Sequence, residues 1–225
     1  MAETLFWAAA LLAVIFALAL MSRYRERRAP FYLWWTFSFA FYTLAYITEA
    51  TSVKTHWTLF PYQLYIIASA TLVGTMSVGT SYLAFPKALA RGYAGFITIL
   101  FLSLTVSVFV VPPVIHGSWL ALNGGKGGIV GLTQVIYIIM ASLGGTIVVV
   151  GAAWSWWKTR RHYNLLIAAG AIVAGIGGTL ASQGVGLSIL PAMNILGLVL
   201  IFLGYVYSRS SQQGRSNTRA ATGSR

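Results

Sequence analysis

The 225-residue chain contains no cysteine, no aspartate and only three acidic side chains, Glu3, Glu26 and Glu49. Without cysteine there is no disulfide framework, no thiolate nucleophile and no Cys-ligated metal site. Without aspartate there is no Ser/His/Asp set, and three scattered glutamates supply no carboxylate pair for acid–base hydrolysis. Neither a HExxH zinc motif nor a phosphate-cradling Gly-x-x-x-x-Gly-Lys loop is present. The histidines, His56, His116 and His162, fall in or beside loops, so no axial haem pair is available within a span. A proton pump needs acidic or histidine groups spaced across the membrane, and only Glu49 falls inside a span. No catalytic signature and no cofactor are read from this chain.

Charge of either sign is scarce. Charged residues make up 8% of the chain, against ~25% in soluble domains. Mean hydropathy is +0.77 and 58% of residues are hydrophobic, so much of the surface faces something other than water. Several apolar stretches reach the ~20 residues that cross a bilayer core. The pattern predicts seven spans, at 4–21, 31–50, 61–85, 93–115, 129–156, 164–182 and 188–207. The expected fold is an all-α integral membrane protein, a seven-transmembrane helix bundle over 1–208. A disordered, basic cytoplasmic tail is expected over 209–225, where Ser, Gln and Arg dominate.

The basic residues test the span count. With the N-terminus outside, the inner segments hold Arg23, Arg25, Arg27, Arg28, Lys87, Arg91, Lys158, Arg160, Arg161, Arg209, Arg215, Arg219 and Arg225, and the outer segments hold Lys54 and Lys126. A miscounted span would mix the two sets, so the positive-inside rule points to N-out and C-in. The first apolar run lacks a basic n-region and is followed, not preceded, by the positive cluster, which reads as a retained span rather than a signal peptide. The net charge of +12 is therefore assigned to topology and to anionic lipid headgroups at the cytoplasmic face, not to nucleic acid. The expected location is the plasma membrane, as a multi-pass protein in contact with the lipid bilayer.

A faint repeat runs through the chain. Residues Arg27 to Glu49 lie over Arg161 to Gln183 at a constant offset, and after a shorter loop Pro61 and Gly74 lie over Pro191 and Gly204. Helices 2–3 thus resemble helices 6–7, with helix 4 the odd one in a 3+1+3 arrangement.

Within the second span, Trp35, Ser38, Tyr42, Ala45, Tyr46 and Glu49 recur at helical steps and form one face. Leu33, Phe37, Ala40, Leu44 and Ile47 form another. In lipid the polar stripe should turn inward, because phenol and carboxylate groups need partners there. Span 3 is dense in Ala, Ser, Thr and Gly, which permits close backbone approach and predicts a central helix. Span 6 has small residues at 170, 174 and 178, read as close packing with glycine-lined ligand access as the alternative.

Polar side chains within the spans gather in the outer third. Glu49, Tyr46, Tyr42, Gln63, Tyr65, Gln134, Tyr137, Gln183 and Asn194 are the candidate ligand-binding residues, in a pocket open to the outside. The alternative is a set of near-interface residues wetted by headgroups. Glu49 also faces the negative end of its helix dipole, which is unfavourable by up to ~1 kcal/mol. Pairing with Lys54 or His56, a hydrogen bond from Gln183, or protonation would compensate it.

Seven helices with this orientation resemble the plan of the microbial rhodopsins. That family binds retinal as a Schiff base on a lysine in the middle of its last helix. Here the last span, "LSILPAMNILGLVLIFLGYVYS", has no lysine, and Lys54, Lys87, Lys126 and Lys158 all lie in loops or at helix ends. The carboxylate pattern of the family's third helix is missing as well. The likeness is to the rhodopsin-like architecture alone and implies no retinal. The 3+1+3 arrangement is similar to that of the sugar facilitators with Pro-Gln motifs, but Tyr62 separates Pro61 from Gln63 and Ala192 follows Pro191. The functional expectation is a heptahelical protein that binds or senses a small molecule in an outward-facing polar pocket, without retinal. The alternatives are a facilitator or transporter of a small polar solute, and a non-catalytic subunit with a membrane or cytoplasmic protein partner.

Overall fold

The computed structural model describes residues 2–116, 122, 128–160, 162–182 and 189–222. Among them the ordered elements are seven helices: α1 (Ala2–Arg27), α2 (Pro30–Thr55), α3 (Leu59–Ala84), α4 (Lys87–Val110), α5 (Gly131–Thr159), α6 (Tyr163–Ser182) and α7 (Ile189–Thr222). Local chemistry sets several of their ends. Arg28 takes a positive φ of 51° and Pro30 opens α2, where its missing N–H and fixed φ cost nothing. Pro86 likewise stands just before α4. That helix stops at Val110, short of the 115 that hydropathy predicts, because Pro112 and Pro113 have no N–H to donate and disfavour helical backbone just before them. Its start, Lys87, is a turn or more before the predicted 93. The last helix continues to Thr222, through the polar segment that composition assigns to a disordered tail. It propagates from an apolar helix already formed, so no new nucleus is needed.

Among the described residues five helices are long and apolar enough to cross a membrane: α1, α3, α4, α5 and the Ile189–Tyr207 part of α7. A shorter apolar stretch, Leu165–Gly178, lies in α6. The chain is a helical membrane protein. Large apolar side chains stand exposed along its helices, among them Leu11, Leu18, Ile99, Val106, Leu132 and Val150, where lipid rather than water is their favourable neighbour.

Six helices close a ring in chain order, α1–α2–α3–α5–α6–α7, with α7 returning to α1, and α4 lies outside it against α3 and α5. α3 is the most enclosed, with 83% of its apolar window buried, as its small residues predict. Polar bonds tie it to each neighbour. Ser38 Oγ of α2 donates to Leu72 O at 2.6 Å, and Gln63 Nε2 donates to Val108 O of α4 at 3.0 Å. Ser77 and Tyr93 share a hydroxyl bond of 2.8 Å, and Ser69 meets Tyr137 of α5 at 3.3 Å. Such bonds average ~0.6 kcal/mol in membrane bundles.

Glycine governs two helix seams. A Cβ on Gly170 of α6 would lie 2.5 Å from Gly197 O, and one on Gly197 of α7 would lie 2.6 Å from Gly170 O. The two backbones touch there. Between α3 and α5, a Cβ on Gly144 would lie 3.0 Å from Val73 O. The ring is closed by aromatics: Phe16 of α1 packs on Phe39 of α2 at 4.1 Å between centroids, and on Phe202 and Tyr205 of α7 at 5.1 and 5.3 Å.

Candidate functional site

The inward face of α2 emerges as its periodicity predicts. Trp35, Ser38, Tyr42, Ala45, Tyr46 and Glu49 are all buried, while Phe37 and Ile47 are exposed. Glu49 is only 3% exposed, one turn beyond Tyr46 and two beyond Tyr42, so this stripe carries a carboxylate and two phenols into the ring.

They enter a cavity of about 890 Å³ bounded by α2, α3, α5, α6 and α7. Of the residues expected to bind a ligand, Glu49, Tyr46, Tyr42, Tyr65, Gln134, Tyr137 and Asn194 line it. Gln63 does not. Its buried amide points to α4 and donates to Val108 O, which makes it a helix tie. Gln183 lies outside the described residues.

The cavity is most polar at one end. Glu49 lies near the end of α2, Tyr65, Gln134 and Asn194 near the starts of α3, α5 and α7, and alternating helix direction puts these four at the same end of the ring. Away from it the walls are mostly apolar, with Met76 on α3, Val148 on α5 and Ile201 on α7, although Tyr42 and Ser142 also line them. From Gln134 to Val148 the α5 wall runs ~21 Å at 1.5 Å per residue. Composition shows polar residues crowding the outer third, but not this long apolar extension.

Among the described lining residues Glu49 carries the formal charge. It lies within electrostatic reach of Tyr42, Tyr46 and Tyr137. Lys54, expected beside Glu49, instead places its Nζ 2.9 Å from Glu3 Oε1 of α1, and His56 is exposed at the C-cap of α2. Tyr46 Oη is buried with no hydrogen-bond partner. The Tyr42 ring packs against the Tyr46 ring, with centroids 5.3 Å apart, close enough for electrostatic interaction but without a bond of good geometry between the hydroxyls.

The α5–α6 side of the cavity reaches the surface. Ile138, Ile172 and Ile176 line it, yet are 49%, 45% and 45% exposed. α6 leans on α7 much more than on α5. The facing positions Ala141, Ser142 and Gly145 on α5 and Gly175 and Gly178 on α6 carry little or no side chain. A Cβ on Gly145, Gly175 or Gly178 would meet nothing within 4 Å. The small residues of α6 therefore divide: Gly170 seals the helix against α7, and Gly178 borders the open cavity.

Among the described residues no three metal-ligating side chains come together. Comparison with known proteins returns no matching family model, no matching curated protein and no matching solved structure. Function must then be argued from the cavity itself.

Proposed function

We propose that this chain is a seven-span protein of the plasma membrane, N-terminus outside and C-terminus in the cytoplasm, that binds or senses a small molecule in the ring cavity, without retinal. The observation that supports this most is the convergence of Glu49, Tyr46, Gln134, Tyr137 and Asn194 from three helices on one enclosed volume. About 890 Å³ is toward the upper end of the ~300–1,000 Å³ usual for small-molecule sites. Burial of a phenol whose hydroxyl, Tyr46 Oη, has no hydrogen-bond partner is costly unless something completes its bonding. Helix movement on binding would be read at the exposed basic positions Lys87, Arg91, Lys158 and Arg160, by a membrane or cytoplasmic protein partner. Anionic headgroups would sit against the same inner face. The position of α4 outside the ring suits the odd helix of a 3+1+3 plan.

A facilitator would need a path past Gly74 and Gly204. Both positions are filled: a Cβ on Gly74 would lie 3.1 Å from Met140 Cε, and one on Gly204 would lie 2.8 Å from Tyr163 O. That favours binding over passage, and an open cavity favours it over a purely structural subunit. The test is thermal unfolding of the purified chain in nanodiscs against a mixed library of water-soluble and lipid-soluble compounds. A stabilising compound whose effect is lost in Gln134→Leu or Asn194→Leu supports the reading. Solute uptake into proteoliposomes that is abolished by Asn194→Leu would replace it with transport. The natural absence of cysteine makes the topology directly testable. An impermeant maleimide should label Lys54→Cys on intact cells and Lys158→Cys only after permeabilisation, and the reverse pattern would invert the orientation.

A further inference from the structure

We infer that the cavity takes an acyl chain of a phospholipid from the surrounding bilayer, and that the chain enters sideways between α5 and α6. The inference goes beyond the binding function proposed above and does not require it. It concerns the apolar part of the cavity rather than the polar end.

The depth of the mouth comes first. Ile138, Ile172 and Ile176 line the cavity and are also exposed on the flank of the ring. At 1.5 Å per residue, Ile138 lies ~10 Å along α5 from Gly131, and Ile176 lies ~9 Å along α6 from Ser182. The whole of α5, Gly131–Thr159, runs ~42 Å at that rise, against a hydrocarbon core of ~30 Å. A helix centred on the core overhangs it by ~6 Å at each end, so the three isoleucines stand at the depth of acyl chains, not headgroups. Ser142 is exposed, and a Cβ on Gly145 would meet nothing within 4 Å. These two lining residues continue the opening toward the midplane. Because α6 leans on α7 more than on α5, this is the seam that widens at least cost.

The character of the interior decides what can fill it. Beyond the mouth the wall is mostly apolar, with Leu72 and Met76 on α3, Val148 on α5 and Ile201 on α7. An enclosed water needs two to four polar partners, which such a wall supplies poorly. An empty space is no better, because its lining loses dispersion contacts on one side. A hydrocarbon chain restores those contacts and asks for no hydrogen bond. Phospholipid is the solvent at the mouth, so its chain is the occupant at hand. The polar end needs something else, since Tyr46 Oη, buried and without a hydrogen-bond partner, gains nothing from hydrocarbon. The cavity is therefore shared, with a chain in the apolar part and polar atoms at the other.

The test is photolabelling of the full chain in nanodiscs made with phosphatidylcholine that carries a mid-chain diazirine, with the adducts mapped by mass spectrometry. Met76, Val148 and Ile201 are 5%, 2% and 1% exposed and border the cavity, so a chain outside the ring does not reach them. Ile99 of α4, 64% exposed, reports chains on the outer surface. Adducts should form on Met76 or Val148 as well as on Ile99. Gly145→Phe and Ser142→Trp obstruct the mouth, and each should lower the inner signal relative to Ile99 about tenfold or more, as expected for overfilling a tight space. Gly95→Phe, on the exposed surface of α4, should leave the ratio unchanged. Unfolding cannot mimic the expected loss, because it would expose Met76 and raise its labelling. The inference is overturned if wild-type adducts are confined to outward residues such as Ile99, or if inner labelling persists in both obstructing variants. Inner labelling by a diazirine-bearing hexadecanoic acid but not by the phosphatidylcholine would replace the phospholipid with a single-chain lipid, and so overturn it too. The small-molecule screen is read by thermal stability, so the binding function and the lipid inference stand or fall separately.

Discussion

Replacing Gly197 with alanine adds one methyl group where two helix backbones touch. The new Cβ would sit 2.6 Å from Gly170 O, 3.0 Å from Ala174 Cβ and 3.2 Å from Ala174 N. Ordinary contact begins near 3.4 Å, so α6 and α7 have to separate by ~0.8 Å, because a backbone carbonyl cannot rotate away. A gap of this size forfeits a quarter to a half of the dispersion attraction of the atoms it separates, and overpacking of this kind costs ~1–3 kcal/mol. Alanine also favours helix over glycine by ~0.8–1 kcal/mol, which leaves a net loss of about 0–2 kcal/mol. Gly145→Ala makes the same chemical change where a Cβ meets nothing within 4 Å, so only the helix-propensity gain remains. The two variants should therefore differ by ~1–3 kcal/mol, with Gly197→Ala the less stable, or by about 2–12 °C in Tm for a chain of this length. Thermal unfolding followed by tryptophan fluorescence in one detergent measures both. If Gly197→Ala melts as high as Gly145→Ala, the α6–α7 seam is not the close backbone contact described.

Other outcomes follow from particular contacts. Gln63→Leu should lower stability by about 0.6–1.7 kcal/mol, the range of interhelical hydrogen bonds in membrane bundles, while leaving ligand affinity unchanged, and a stability and binding comparison with Gln134→Leu will separate the two amides. Ser38→Ala should cost a similar amount by the loss of its bond to Leu72 O, since that carbonyl keeps its helical partner, and urea-free thermal melts detect it. Glu3→Gln should leave Tm unchanged within error. Its partner Lys54 has a side chain that is 72% exposed, and exposed pairs contribute little. A clear drop would show that the clasp between the start of α1 and the end of α2 matters more than its exposure implies.

Helix 2 shows what could be read in advance. Its aromatic and polar residues repeat at three- and four-residue steps, and one face of that pattern has few ways to be satisfied in lipid except by turning inward. Glu49 could be placed inside on that ground alone. Gln63 could not be assigned so simply. It lies near Tyr62 and Tyr65 on a helix buried on most sides, so whether it meets the cavity or α4 depends on where α4 packs, and no local pattern records that. Lys54 is legible from its spacing. Five residues past Glu49, it lies ~140° around the helix, since 3.6 residues make a turn, and so it faces α1 rather than the cavity. The glycines of α6 mark the real limit. Gly170 and Gly178 are the same letter at helical spacing, yet one is pressed on a carbonyl and the other faces open space. The difference belongs to the neighbour, and it determines how far the cavity extends. The fourth helix ends before its hydropathy does for a simpler reason. Hydropathy continues through Val111, Pro112, Pro113 and Val114, whereas helical hydrogen bonding does not.

The closure of the ring by Phe16 has a consequence for how the protein is made. Its partner Phe39 is on the next helix, but Phe202 and Tyr205 belong to the last. Helices inserted in order from the ribosome would leave this side of α1 without its final cover until the seventh has been delivered. During that interval the aromatic edge of α1 is held only by α2 and the surrounding acyl chains. A nascent chain arrested before α7 is therefore an open arc rather than a ring, with its unsatisfied edge presented to the insertion machinery and to any quality-control protease that patrols the bilayer.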